Sequence, residues 1–84
     1  MKKIYSLISG AGRGIGEEIA KEFYENGHFL YLLVHKKKDL IKLKKKFSPK
    51  RVKLFHGDIN DQNFISDIRK KITYVDNLVN NVGT

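Results

Sequence analysis

Four glycines fall within seven residues, at positions 10, 12, 14 and 16, in the stretch Ser9-Gly10-Ala11-Gly12-Arg13-Gly14-Ile15-Gly16. An apolar run, Ile4-Tyr5-Ser6-Leu7-Ile8, leads into it, and a helical pattern over residues 14–26 follows. Glycine lets a backbone turn tightly and approach another group closely. A helix that begins there presents unpaired N–H groups to negative charge. Strand, glycine turn and helix together therefore suit a phosphate-bearing ligand, and they restrict the fold to one that can open a helix directly after a strand.

The remaining segments repeat this alternation. Residues 3–8 read as a first strand, ended by glycine. In the helix over 14–26, Ile15, Ile19, Ala20 and Phe23 lie at helical spacing as one apolar stripe, and Gly27 closes it. The continuous apolar run Phe29-Leu30-Tyr31-Leu32-Leu33-Val34 has the character of a strand buried on both faces of a parallel sheet. A second helix is expected over 38–47, with Leu40, Ile41, Leu43 and Phe47 inward and Pro49 beyond it. Residues 52–56 give a third strand, Asn60 a cap for a third helix, and Phe64, Ile65, Ile68 and Ile72 that helix's apolar face. Residues 77–80 give a fourth strand. The order βαβαβαβ with short connections implies right-handed crossovers, a parallel sheet and a single domain over residues 1–84. In a doubly wound sheet the strands would run 3-2-1-4, and ligands would sit at their carboxyl ends. The stretches 10–16, 58 and 80–83 all fall at such ends.

Composition narrows the possibilities further. The chain has no cysteine, which excludes disulfide and thiolate-metal frameworks and suits a cytoplasmic setting. His28, His35 and His56 show no metal-ligand spacing, and no metal site is expected. No apolar stretch approaches the ~18 residues a membrane span needs, and the apolar run after Met1-Lys2-Lys3 is too short for a secretory leader. Net charge is +8, and ten of the seventeen basic residues lie between positions 36 and 53. Such a run is most simply a solvated helix face, and a basic nucleic-acid-binding surface is the alternative it leaves open.

Spacing decides which nucleotide motif the glycines form. Gly-Lys-Ser/Thr, the end of the Walker pattern, does not occur, and G-x-G-x-x-G fails at Ile15 or Glu17. The pattern that fits is Gly10-x-x-x-Gly14-x-Gly16 after a hydroxyl residue, Ser9. Asp58 follows the third strand, and Asn80-Asn81-Val82-Gly83 follows the fourth. In these three motifs the whole chain resembles the short-chain dehydrogenase/reductase family, with Ser9 where that family has threonine and Val82 where it has alanine. The resemblance implies a partial Rossmann-type fold, a doubly wound α/β sheet truncated after the fourth strand. It implies that Gly10, Gly14 and Gly16 wrap a pyrophosphate and that Ile15 offers a backbone N–H. It also implies that Asp58 accepts from the adenine amino group beside the Ile59 backbone, and that Asn80 and Gly83 line the adenosine ribose.

NAD enzymes place a carboxylate at the end of the second strand, whereas NADP enzymes need cations there. This strand ends Val34-His35-Lys36-Lys37-Lys38, and the first carboxylate, Asp39, comes only inside the next helix. Arg13 directly precedes Gly14, where NADP-preferring members of the family often carry a basic residue. NADP is therefore expected over NAD, with Arg13 and Lys36 flanking the 2′-phosphate and the contact among His35, Lys36 and Lys37 left open. The family's chemistry needs a serine and Tyr-x-x-x-Lys, but Tyr5, Tyr24, Tyr31 and Tyr74 are followed four places on by Ser9, His28, His35 and Leu78. No catalytic residue is assigned and no substrate is inferred. The expected function is the cofactor-binding portion of an oxidoreductase, with a non-catalytic dinucleotide or interaction module as the alternative.

A fourth strand with no neighbour beyond it would leave Leu78 and Val79 on an open edge. At ~0.05–0.15 kcal/mol per residue, a domain this small has little stability to spare. The isolated chain is expected to be marginally stable or to pair with a second copy through that edge. A cooperative thermal transition from a monomer in sedimentation would contradict this.

Overall fold

The computed structural model describes residues 2–81. Its elements are β1 (Tyr5–Ser9), α1 (Gly14–Glu25), β2 (Phe29–Val34), α2 (Lys37–Lys46), β3 (Val52–His56), α3 (Gln62–Lys71) and β4 (Asn77–Asn80). All four strands are parallel, in the order β3-β2-β1-β4. This is the expected truncated doubly wound α/β arrangement, and it brings the carboxyl ends of β1, β2, β3 and β4 to one edge.

Local chemistry explains most of the boundaries. Gly27, at φ 86°, closes α1 with its own N–H on Tyr24 O and the His28 N–H on Phe23 O. No basic residue stands in the last turn of α1, and Arg51 supplies the missing cation from outside the helix. The Arg51 guanidinium lies 4.0 Å from the Tyr24 ring centroid and donates to the Tyr24 carbonyl. The start of α3 corrects an expectation. Asp61 is its cap, accepting from the Asn63 and Phe64 N–H groups, whereas the Asn60 backbone is held in a turn by the Asp58 carboxylate. An ionised carboxylate is a good acceptor at a helix start, and here it lies one residue further on than Asn60.

The sheet's two faces are packed unequally. On one, Ile8, Leu30, Leu32, Val34 and Val52 meet Ala20 of α1 and Leu43 of α2, with Phe47 beside them, in the larger core. On the other, Leu33 and Phe55 meet Ile68 of α3, with Leu7, Tyr31, Phe64 and Ile72 partly buried around them. Tyr5, Phe29, Tyr31 and Phe55 make a row of ring contacts along this second face, centroids 5.4–6.3 Å apart. Of these four rings only Phe55 is buried, and Tyr5, Phe29 and Tyr31 are partly buried. Lys3 and Lys53 lie over the Phe29 and Phe55 rings. Leu78 is 68% exposed on this side, as expected for an open edge. Val79 turns the opposite way and packs against the larger core, because successive strand residues alternate faces. Two stripe expectations also need correction: Ile15 is 72% exposed and Ile41 47% exposed, one on the first turn of α1 and one on the outer side of α2.

Buried polar groups join β1 to β4 and to the end of α1. The fully buried Ser6 hydroxyl lies 2.9 Å from His28 Nδ1 and accepts from Asn77 Nδ2 at 3.1 Å. His28 also stacks on Phe23, so this histidine has a structural role. Asp76 accepts from the Tyr5 N–H at 2.8 Å and from the Tyr74 hydroxyl at 2.7 Å. No described helix is long and apolar enough to cross a membrane, and the described residues hold no cluster of potential metal ligands.

The Tyr5 N–H holds the Asp76 carboxyl below its usual range, with help from the Tyr74 hydroxyl and the Lys2 and His28 charges. A depressed carboxylate contributes stability above its unfolded pKa and loses it as pH falls through its folded value. Melts of the wild-type chain between about pH 3 and 7 should show a fall in stability below about pH 4. Asp76→Asn should be less stable at pH 7 and should show a shallower acid-side slope. Equal slopes would show that Asp76 contributes nothing to the acid transition.

Candidate functional site at the carboxyl edge of the sheet

The turn between β1 and α1 is shaped by what its glycines lack. Gly10 and Gly14 both sit at φ 62°, in the left-handed region. A β-carbon on Gly10 would lie 1.9 Å from the Asn81 carbonyl oxygen, and one on Gly16 would lie 2.1 Å from the Gly10 carbonyl oxygen. The end of β1, the start of α1 and the residue after β4 thus converge in space that no side chain can share. Asn81 Nδ2 donates to the Gly10 carbonyl at 3.3 Å. The buried Ser9 hydroxyl donates to Asn80 Oδ1 at 3.0 Å and accepts from the Asn81 N–H at 3.0 Å, tying the turn to β4. The Ala11 N–H donates to the Leu33 carbonyl, tying it to β2. Arg13 caps α1 in an extended conformation without a side-chain hydrogen bond, so its side chain does not occupy the first-turn N–H groups.

Helix α2 braces the turn from the other side. Lys42 Nζ donates to the Gly12 carbonyl at 2.7 Å and to Glu17 Oε1 at 3.0 Å, and Lys46 Nζ donates to Glu17 Oε2 at 2.9 Å. The Lys46 hydrogen bond, seconded by Lys42, holds the Glu17 carboxyl below its usual range against the opposing effect of burial. Asp39, in the first turn of α2, packs so close to Gly12 that a β-carbon there would lie 2.8 Å from Asp39 Cβ. The glycine motif does not require Gly12, but the approach of α2 does.

Two clefts open beside the turn, and they share Gly10 and His35. The first, of about 260 Å³, is walled by Leu33, Val34 and Phe64 and by the segment Gly57, Asp58, Ile59 and Asn60, with Ser9 at its base. Asp58 Oδ1 accepts from the Asn60 N–H at 2.9 Å, which holds the carboxylate in an Asx-type turn. Gly57 has no room for a β-carbon, which would lie 2.5 Å from the Phe64 ring. The second cleft, of about 320 Å³, is lined by Gly12, Arg13, Lys36, Asp39 and Asn81 besides the two shared residues. His56 Nε2 lies 3.1 Å from the His35 carbonyl oxygen and fixes the loop between the clefts. A partly apolar cleft next to one lined by Arg13 and Lys36 can accept an aromatic ring joined to an anionic group.

The short chain dehydrogenase family matches residues 5–84 of this sequence. The chain belongs to the short chain dehydrogenase family. Solved structures of similar shape include the bulky-bulky ketone specific alcohol dehydrogenase of Comamonas testosteroni, with TM-score 0.85 and 23% identity, covering 100% of this chain and 37% of that one. L-Sorbose reductase from Gluconobacter frateurii, complexed with NADPH and L-sorbose, has TM-score 0.81 and 25% identity over 100% of this chain and 35% of its own. A short-chain dehydrogenase from Sphingobium yanoikuyae in complex with NADPH has TM-score 0.82 and 25% identity, covering 96% and 34%. The chain therefore spans little more than a third of the structures it matches. Among curated proteins no relative matches the sequence.

The site residues expected from the sequence divide among these places. Ser9, Gly10, His35, Asp58 and Ile59 meet at the first cleft, and Gly10, Arg13, His35 and Lys36 at the second. Gly14, Ile15 and Gly16 open α1, with the Ile15 side chain pointing to solvent. Asn80 holds the Ser9 hydroxyl and lines neither cleft; its neighbour Asn81 lines the second. Gly83 lies outside the described residues. Sequence reasoning missed Gly12, Asp39, Lys42 and Asn81 as parts of the site. The alternating glycines and the first carboxylate after β2 were visible signals for two of them.

The glycine geometry makes a graded prediction. Gly14→Ala meets open space and should cost about 1–2 kcal/mol of stability from backbone strain alone. Gly10→Ala adds the collision with Asn81 and should cost about 1–3 kcal/mol more. Urea denaturation of both variants checks the order. Equal losses would mean that the end of β4 yields freely.

Proposed function

We propose that this chain forms the NADP(H)-binding portion of an oxidoreductase of its family. The observation that carries the reading is the meeting of the two clefts at Gly10 and His35, one slot walled by apolar residues and Asp58, the other by Arg13 and Lys36. The residues present fit such a ligand. The β-carbon position of Gly14 faces open space, and the first-turn N–H groups of α1 suit a pyrophosphate.

In this reading Gly10, Gly14, the Ile15 N–H and Gly16 hold the pyrophosphate. The Asp58 carboxylate takes the adenine amino group, and the Ile59 backbone flanks the ring. Asn80 and Gly83 border the ribose, Asn80 through its hold on Ser9. Arg13 and Lys36, beside His35, take the 2′-phosphate through charge-assisted hydrogen bonds. When bound, the dinucleotide supplies a nicotinamide that donates or accepts hydride, and in the family that hydride exchanges with a carbonyl or alcohol. This chain's contribution is to bind and orient the cofactor.

Titration of the purified chain with NADPH and NADH tests the proposal. NADPH should bind more tightly, and Arg13→Ala should weaken NADPH roughly tenfold while changing NADH little. Binding of neither dinucleotide, together with strongly salt-dependent DNA binding, would replace this reading with a nucleic-acid function of the lysine-rich face.

A further inference from the structure

The basic segment between α2 and β3 leads to an open edge of the sheet. β3 is an outer strand, and among the described residues no strand lies beyond it. The Arg51 carbonyl accepts from the Leu30 N–H at 2.8 Å, and the Gly57 N–H donates to the Val34 carbonyl at 3.0 Å. Peptide direction alternates along a strand, so residues 51, 53, 55 and 57 turn their backbone groups to β2 and residues 52, 54 and 56 turn theirs away. The Val52 N–H is taken by the Ser48 carbonyl. The Val52 carbonyl and both backbone groups of Leu54 and His56 therefore face outward along the edge.

Beside this edge lies a groove of about 510 Å³, lined by Phe47, Pro49, Val52 and Leu54 and by Lys44 and Lys53. It shares no lining residue with the two clefts at the carboxyl edge. We propose that the β3 edge and this groove bind an acidic polypeptide segment in extended conformation, which adds to the sheet as a further strand. Its main chain pairs with Leu54 and His56, and its alternate side chains enter the groove. The inference is independent of the NADP(H) reading.

Charge decides the occupant. Between Asp39 and Asp58 the sequence has seven lysines and arginines and no carboxylate, so the segment cannot neutralise itself. Glu17 engages Lys42 and Lys46, and the Tyr24 ring and carbonyl engage Arg51. Lys44 and Lys53 are exposed and have no carboxylate partner among the described residues. Lysine on an edge strand ordinarily prevents pairing, and here it disfavours a second copy, whose own Lys44 and Lys53 would meet like charge. The same lysines attract a strand that carries carboxylates. A nucleic acid satisfies the charge but offers no peptide groups to the outward row and no aliphatic side chains to the groove. The two faces of the edge differ as well. Val52 and Leu54 pack toward the larger core, whereas Lys53 lies over the Phe55 ring on the opposite face. A strand that alternates aliphatic and acidic residues matches both, with its aliphatic side chains in the groove and its carboxylates on the Lys53 side.

The test is fluorescence anisotropy of the full chain with a dye-tagged peptide of about six residues that alternates valine and glutamate. The peptide should bind, and its affinity should fall as salt is raised. Lys44→Glu combined with Lys53→Glu should weaken it roughly tenfold while NADPH titration stays unchanged. N-methylation of the valines alone, or of the glutamates alone, blocks one row of the peptide's N–H groups. One methylated peptide should lose binding and the other should keep it, because only one row faces β3. Loss with both, or with neither, would overturn the proposal. Equal binding of oligothymidylate, or of a peptide of the same composition with its glutamates in one block, would also overturn it and leave only a non-specific basic surface. The methylated pair uses wild-type protein, so the proposal remains falsifiable if the double variant does not fold. No peptide binding by a chain that binds NADPH would overturn this inference and leave the cofactor reading intact. Peptide binding by a chain that binds neither dinucleotide would do the reverse.

Discussion

Two absent β-carbons hold this site together. The Gly10 and Asn81 carbonyl oxygens occupy space that side chains on Gly16 and Gly10 would need. That absence lets the β1–α1 turn, the first turn of α1 and the end of β4 share one small volume. Once they are that close, the hydrogen bonds follow: Ser9 bridges to Asn80 and Asn81, and Asn81 reaches back to the Gly10 carbonyl. The turn is then closed on the β4 side by groups that also terminate the strand, so the cradle and the sheet edge form one structure.

On the other side the turn is braced by charge. Lys42 donates to one Glu17 carboxylate oxygen and Lys46 to the other, and Lys42 also donates to the Gly12 carbonyl. These contacts reach from α2 to the first turn of α1 across the glycine stretch. Two of the ten clustered basic residues are thus explained by the site's geometry rather than by a polyanion partner. Exposed pairs of this kind contribute little stability singly. Their effect here is positional, since a bidentate lysine pair on one carboxylate leaves the two helices little freedom to slide.

Much of this was legible in the residues, for identifiable reasons. The strands at 29–34, 52–56 and 77–80 were bounded by turn residues and proline, so their ends were marked locally. Strand order followed from alternation and crossover handedness. The failures share a cause: each depended on a contact from elsewhere in the chain. Ile15 matched the helical period, but its side chain stands in solvent on the first turn of α1. Asn60 has a capping side chain, but the turn set by the Asp58 carboxylate holds its backbone, and Asp61 caps α3 instead. The contacts that make Gly12, Lys42 and Asn81 parts of the site are long-range, with partners 27, 30 and 71 residues away.

The unequal packing of the two faces bears on how the site keeps its shape. β1, α1, β2 and α2, which carry the turn, the helix start, His35, Lys36 and Asp39, share the larger core, with Ile8, Leu32, Ala20 and Leu43 fully buried. The thinner face rests on α3 alone and leaves Leu78 in solvent. The cationic cleft is therefore built on the better-packed half. The first cleft also depends on Gly57 seated against Phe64, a residue of the thinner cluster. Loosening that face would disturb this wall of the first cleft while leaving the turn and its charges in register, because none of the residues lining the second cleft belongs to the thinner cluster.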